Sequence, residues 1–367
     1  MKVGIIDADL LGRKNHRFPN LCCMKISGYF KKKGVQSELI RDCTNLSGYD
    51  VIYEAKVFTD TDEPIKGNLF SENLPPIVRG GTGYFFDKAK PLPMEMEHAM
   101  PDYHLYDEAV VDKTGEYTQF SIGYLTRGCF RKCPFCVNQK YNRAFRASPL
   151  REFLNESRKK ICLLDDNFLS YRGWEPLMQE LMECGKPFHF KQGLDERILD
   201  DKRCQYLFKA KYCSDYTFAF DDISDYALIE EKLKLIRQYT NTTSLRFYVL
   251  CGFKGINEKD IEDTLARIAL LFRYGARPYI MRYQSPTEKP YQKSKWSSLY
   301  TSLARWANQP NFCKRLSFRE FCEMDNSYQQ KNGRSSTCAS MKALKTFEND
   351  FPAVAAKYFN ERFKKWE

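Results

Sequence analysis

Three cysteines, Cys129, Cys133 and Cys136, stand at C-x3-C-x2-C spacing in the run Cys129-Phe130-Arg131-Lys132-Cys133-Pro134-Phe135-Cys136. Three thiolates can hold three irons of a 4Fe-4S cluster and leave the fourth iron with an open position. Open metal positions are where chemistry takes place, whereas closed sites are mostly structural. Zinc is a second reading, but it would want a fourth Cys or His; Cys162 is isolated and His189 falls on an expected strand. A redox dithiol is a third, using Cys133-Pro134-Phe135-Cys136 as C-x-x-C and leaving Cys129 without a role.

The elements around the loop follow a repeating pattern. A strand-like run over 120–126 leads into an Arg127-Gly128 break just before Cys129. From Gln119 onward, apolar strand cores are expected at 120–125, 161–164, 188–191, 216–220, 245–250 and 278–283. Helices are expected between them. The first is announced by Ser148-Pro149 as N-cap and N1 proline, followed by 175–184, 201–211, 226–239 and 258–274. Six such units fit an open, partial (β/α)6 TIM-like barrel; a full barrel would need two more.

Barrel sites lie at the C-terminal ends of the strands. Here those ends read as the cysteine loop, Asp165-Asp166-Asn167, Gln192-Gly193-Leu194-Asp195 with Arg197 close behind, Asp221-Asp222, Cys251-Gly252 and Arg282-Tyr283-Gln284. Asp221, Asp222 and Cys251 are the candidate catalytic groups. Asp221-Asp222 reads equally well as a helix cap for the segment from Ser224, and Cys251 as a buried structural thiol.

Residues 1–117 read as a small α/β domain with a Rossmann-like parallel sheet. Strands are expected at 2–7, 37–41, 50–57 and from Ile77, with a helix opening at Phe18-Pro19-Asn20 and ending before Gly34. The turn Gly80-Gly81-Thr82-Gly83 lacks the spacing of a dinucleotide fingerprint. Residues 87–117, with Pro91, Pro93, Pro101 and Gly115, read as a connector. The second domain covers 118–290, and 291–367 is a helical C-terminal extension with helices expected at 293–308, 341–347 and 351–366. Cys313, Cys322 and Cys338 lie there at long, irregular spacings that suit scattered thiols better than a second metal site.

Composition bounds the rest. The chain has 367 residues and contains no apolar run long enough for a transmembrane helix, so no membrane role is expected. Its start turns acidic too soon for a signal peptide, and fourteen cysteines without an export signal suit a reducing, cytoplasmic setting. Lys+Arg exceed Asp+Glu by 58 to 47, giving +11. That excess is spread along the chain, which suits a solvated surface; a nucleic-acid partner is the sharper alternative, with no recognised binding motif to support it.

The cysteine loop, the six-unit pattern and the polar strand ends together resemble the radical SAM enzymes. The likeness covers roughly residues 118–290, with Phe135 as the aromatic just before the last cysteine. The N-terminal domain resembles the degenerate Rossmann-like domain that precedes the barrel in B12-binding-type radical SAM proteins and in methylthiotransferases. Phe18-Pro19-Asn20-Leu21, Gly80-Gly81-Thr82-Gly83-Tyr84, Pro101-Asp102-Tyr103, Leu163-Leu164-Asp165-Asp166-Asn167, Gln192-Gly193-Leu194-Asp195-Glu196-Arg197 and Arg305-Trp306-Ala307-Asn308 resemble a narrower group of bacterial and phage radical SAM proteins.

The resemblance implies that Cys129, Cys133 and Cys136 ligate a 4Fe-4S cluster whose open iron chelates S-adenosylmethionine (SAM). It implies Phe135 beside the adenine, Asp165 or Asp166 accepting from the SAM ammonium, and Gln192 and Arg197 near the ribose and carboxylate. Gly252 and Gly255 would allow close approach to the adenine. It also implies an electron donor such as flavodoxin or ferredoxin, and a substrate that gives up a hydrogen atom to a 5′-deoxyadenosyl radical. Alternatives are a cobalamin-dependent methyltransferase, a nucleic-acid-modifying methylthiotransferase-like enzyme, and a non-enzymatic iron–sulfur protein. Cobalamin is a candidate cofactor, but Asp7-Ala8-Asp9-Leu10-Leu11-Gly12 has Asp9 where the D-x-H-x-x-G motif has its histidine. Cys22, Cys23 and Cys43 do not form the set expected for a methylthiotransferase's second cluster.

Overall fold

A computed structural model describes all residues except 15, 17, 66–73, 107–116, 286–293 and 334–335. Gly115 of the expected connector and the Lys293 start of the expected C-terminal helix lie outside the described residues. The chain is mixed α/β and divides into two compact units, Met1–Gln192 and Gly193–Glu367. The division falls inside the stretch that the sequence assigns to its second domain.

The first unit opens with four parallel strands: β1 (Lys2–Asp7), β2 (Gln36–Leu39), β3 (Val51–Ala55) and β4 (Ile77–Gly80), in the order β2-β1-β3-β4. Both faces of β1 are buried, as parallel sheets require. Val3 and Ile5 pack with Cys23, Met24, Ile26 and Phe30 on one side, and Ile6 packs with Ile40, Leu46 and Ile52 on the other. The helix Leu21–Lys32 begins where the sequence places its cap, with the Asn20 carbonyl oxygen of the side chain accepting from the Cys22 and Cys23 amides.

The same unit continues with β5 (Phe120–Gly123), the two-residue strands β6 (Thr126–Arg127) and β7 (Phe145–Arg146), β8 (Lys160–Leu163) and β9 (Phe188–Phe190). β5, β8 and β9 form a parallel sheet in that order. The helix expected after Ser148-Pro149 is absent. A single 3-10 turn, Leu150–Glu152, stands there. Asn155 diverts the chain by accepting from the Ser157 amide at 2.9 Å, an Asx turn that competes with helix. Phe153 fills the space that a side chain on Gly123 would take. The helix Trp174–Glu183 then packs Trp174, Leu177, Met178 and Leu181 inward.

The second unit holds the remaining strands: β10 (Tyr216–Ala219), β11 (Leu245–Cys251) and β12 (Arg277–Arg282), parallel and in that order. Helices Asp201–Lys209, Tyr226–Tyr239 and Glu258–Arg273 alternate with them as expected. The six strands of the expected barrel are therefore all present, in two separate three-stranded sheets.

The C-terminal part is helical. It includes Ser297–Ala307, Ala339–Asp350 and Pro352–Tyr358, and also Phe318–Lys331, which the apolar pattern did not reveal. That helix carries a capping box between Ser317 and Glu320. Trp306, Phe318, Phe347 and Phe359 form an aromatic core with centroids 5.3–5.6 Å apart. Asn308 closes the open edge of β12: its side chain accepts from the Ile280 amide at 2.7 Å and donates to the Ile280 carbonyl at 3.1 Å. Among the described residues no helix is long and apolar enough to cross a membrane.

Candidate functional site

The cysteine loop is closed at its base by the short antiparallel ladder of β6 and β7, with Thr126 opposite Arg146 and Arg127 opposite Phe145. Gly128 starts the loop at φ +86, and an added Cβ would lie 2.5 Å from the Arg143 carbonyl oxygen, so only glycine fits. Inside the loop, the Cys136 amide donates to the Cys133 carbonyl at 3.0 Å. Lys132 Nζ reaches the Gln139 and Tyr141 carbonyls at 2.5 and 2.6 Å. Gln139 Nε2 donates to the Cys133 carbonyl at 2.9 Å.

The strand-end carboxylates of β8 hold this loop in place. Asp165 is fully buried, and accepts from the Leu125 amide at 3.2 Å, the Thr126 amide at 2.6 Å and the Thr126 hydroxyl at 2.7 Å. Burial pushes its pKa up to about 7, against the pull of the Thr126 and Leu125 donors. Asp166 accepts from the Gly128 amide at 2.7 Å and from Asn138 Nδ2 at 2.8 Å, with Arg127 Nε 3.7 Å away. One carboxylate thus fixes the strand leading into the loop, and the other ties the loop's start to its far side.

The sulfurs lie in a donor-rich setting. Cys129 Sγ accepts from the Arg131 amide and from Asn167 Nδ2, each at 3.3 Å, and Cys136 Sγ accepts from the Asn138 amide at 3.4 Å. Hydrogen bonds to cysteine sulfur stabilise the thiolate form and help set the potential of a cluster it ligates. All three cysteines are half-buried, as is Phe135 between Cys133 and Cys136. Among the described residues no group of three or more His, Cys, Asp or Glu side chains is arranged to hold a single metal ion. Three thiols on one loop, with amide donors aimed at their sulfurs, are the kind of donor set that a cluster takes.

The loop is also buttressed from the N-terminal helix. Lys25, 4% exposed, places Nζ 3.0 Å from the Tyr124 hydroxyl and 3.2 Å from Glu97 Oε1. Tyr124 has cations on its ring from two sides in sequence, Lys25 at 4.4 Å and Arg127 at 4.6 Å. Sequence reasoning missed Lys25; a lone lysine within an apolar helix face was its only signal. Gln192, the last residue of this unit, is exposed just beyond β9.

The second unit presents a different set of strand ends. Arg197 pairs with Asp195 at 2.9 Å and Asp225 at 3.3 Å, and these acids hold its proton tightly despite burial. Beside it, Glu196 is 1% exposed; Oε2 accepts from the Ala219 amide at 3.0 Å, while Oε1 has no hydrogen-bond partner and lies 3.8 Å from Arg197 Nε. Burial pushes Glu196 up to about 8. Half-buried Asp221 accepts from the Leu250 amide at 3.3 Å, and burial raises it to about 6 against the nearby Arg267.

Asp222 accepts from the Ser224 amide at 3.0 Å and pairs with Lys254 at 2.6 Å; burial opposes its charge, but these partners hold it below the usual range. Cys251 shares the buried face of β11 with Leu245, Phe247 and Val249, and burial raises its thiol to about 12. The Gly252 amide donates to Asp260 at 2.8 Å, and Asp260 also receives the Tyr300 hydroxyl. In the C-terminal helices Cys313, Cys322 and Cys338 are buried, and Cys338 caps the helix Ala339–Asp350 through the Met341 amide.

No known protein-family profile matches the chain, and no curated protein matches it. Solved structures that resemble it include three of one enzyme. The cobalamin-dependent S-adenosylmethionine radical enzyme OxsB with aqua-cobalamin and S-adenosylmethionine bound aligns at 12% identity and a TM-score of 0.37, over 99% of this chain and 64% of that one. Its form with aqua-cobalamin aligns at 14% and 0.38, over 98% and 57%, and its apo form at 13% and 0.35, over 99% and 64%. This chain therefore spans less than two thirds of the proteins it matches.

Proposed function

We propose that the chain is a radical SAM enzyme. The carrying observation is the cysteine loop: three thiols on one clamped loop beyond β5, two of them accepting hydrogen bonds. Cys129, Cys133 and Cys136 would hold a 4Fe-4S cluster. When bound, such a cluster supplies the single electron that cleaves the sulfonium C–S bond of SAM, giving methionine and a 5′-deoxyadenosyl radical that takes a hydrogen atom from substrate and becomes 5′-deoxyadenosine.

The protein's part is positioning and exclusion of water. Asp165 and Asp166 are positioning residues in this reading, because their oxygens already serve the loop. Phe135 and Gln192 remain the groups proposed to face SAM. In the second unit, Asp221 is the group proposed to meet substrate. Asp222 caps the turn at Ser224 and pairs with Lys254, Cys251 faces the buried side, and Arg197 is engaged with its acidic neighbours. A one-electron donor such as flavodoxin or ferredoxin is implied, and the net charge of +11 favours an acidic one.

The test is product formation after anaerobic cluster reconstitution, chemical reduction and addition of SAM. Wild type is expected to form 5′-deoxyadenosine and methionine in equal amounts, and Cys133→Ala to form neither. A fully loaded, reduced wild type that forms no 5′-deoxyadenosine would instead be a non-enzymatic iron–sulfur protein.

A further inference from the structure

The N-terminal sheet runs β2-β1-β3-β4 with every pairing parallel. The chain moves from β1 to one side to make β2, then crosses to the other side for β3 and β4. The topological switch point therefore lies between the C-terminal ends of β1 and β3, where open α/β sheets admit their ligands.

In this chain that crevice is filled from within. Asp9, two residues beyond β1, is fully buried. Its carboxylate accepts from the Val57 amide at 2.6 Å, the Phe58 amide at 3.4 Å and the Thr61 hydroxyl at 2.5 Å, all beyond β3. Lys56, 5% exposed, turns its Nζ onto the Thr61 carbonyl at 2.8 Å. From the β4 side, Gly83 donates to the Lys56 carbonyl at 2.9 Å, and a Cβ on Gly81 would come within 2.2 Å of the same oxygen. The turns after β1, β3 and β4 are joined to one another across the switch point.

Asp9 occupies the place of the histidine in the cobalamin-binding motif that this domain resembles. Loss of that ligand alone would not exclude a corrinoid, a bulky group that could still enter an open crevice. Opening this crevice would strip three hydrogen-bond donors from a buried carboxylate and part the turns that they join. We infer that the N-terminal sheet takes no cobalamin, its switch-point crevice being sealed by Asp9 against the loop of Val57, Phe58 and Thr61. The inference does not depend on the cluster: it concerns a different sheet, and its test needs neither iron nor SAM.

The full-length protein is incubated with excess hydroxocobalamin, desalted and measured by absorbance. The expected result is no corrinoid beyond trace; near-stoichiometric retention overturns the inference. Hydrogen exchange at the Val57 and Phe58 amides gives an independent readout. They are expected to be protected in wild type and to exchange roughly 10-fold faster or more in Asp9→Ala, whose acceptor is gone. Asp9→Asn, which keeps the shape and one acceptor oxygen, should fall between them, so the reading survives if Asp9→Ala does not fold. Unprotected Val57 and Phe58 amides in wild type would mean an open crevice and would overturn the inference.

Discussion

At the end of β8 in the first unit, Asp165 and Asp166 give their oxygens to the Leu125, Thr126 and Gly128 amides, the Thr126 hydroxyl and Asn138. In the second unit, Glu196 bonds the Ala219 amide through one oxygen and leaves the other without a hydrogen-bond partner, while Asp221 accepts a single long bond from Leu250. Burial raises Asp165, Glu196 and Asp221 alike. The surroundings differ, and so do the consequences. A buried carboxylate with several donors is a fastening, costly to remove. A buried carboxylate short of partners has less to hold its charged form. The first unit uses acids to fix the geometry of a loop; the second keeps buried acids with few donors.

Asp166→Ala is expected to have the largest effect. With the Gly128 and Asn138 ties gone, the loop loses the link between its two ends, and iron retention after reconstitution should fall by about 10-fold or more, the scale of lost outer-shell support at metal sites. Far-UV circular dichroism should remain that of wild type, because Asp166 lies at the loop and Asp165 still anchors the strand. Unchanged iron content in Asp166→Ala would show that the loop holds itself.

Glu196→Gln is expected to have a smaller effect, on stability. The folded state keeps Glu196 protonated up to about 8, whereas the unfolded chain ionises near 4.5. Below that lower value both states are protonated and the group costs nothing. As pH rises from there toward 8, ionisation favours the unfolded chain, and stability falls by about 1.4 kcal/mol per pH unit from this group. Thermal unfolding of Glu196→Gln against wild type at pH 5 and pH 8 should therefore show the variant gaining relative stability at the higher pH. A pH-independent difference would mean that Glu196 is ionised in the folded protein.

Much of this was legible in the sequence, for identifiable reasons. The strands of both units announce themselves through apolar runs that parallel, doubly buried strands require. Asn20 and the Asp222-Ser224 cap stand where capping chemistry places them. What escaped was long-range. The Ser148-Pro149 start leads to no helix because Asn155 turns the chain and Phe153 must fill the gap at Gly123. The helix Phe318–Lys331 has a weak apolar stripe, and its capping box was the signal available.

Several residues that carry the family resemblance turn out to be folding devices. Tyr103 donates to the Phe153 carbonyl at 2.5 Å and accepts from the Ile122 amide at 2.9 Å, and Asn308 closes the edge of β12. Asp165 and Asp166, which the resemblance implies as SAM contacts, accept from backbone amides of the loop; in sequence, an acid after a strand looks the same whether it faces a ligand or a backbone amide.

In the proposed enzyme the absent fourth thiol marks the seat of SAM. Electron paramagnetic resonance of the reduced, cluster-loaded wild-type protein, recorded with and without SAM, is the test. A 4Fe-4S signal whose g-values shift when SAM is added is expected, because its amino and carboxylate groups would bind the open iron. A fully reduced cluster whose spectrum is unchanged at saturating SAM would mean that SAM does not bind there.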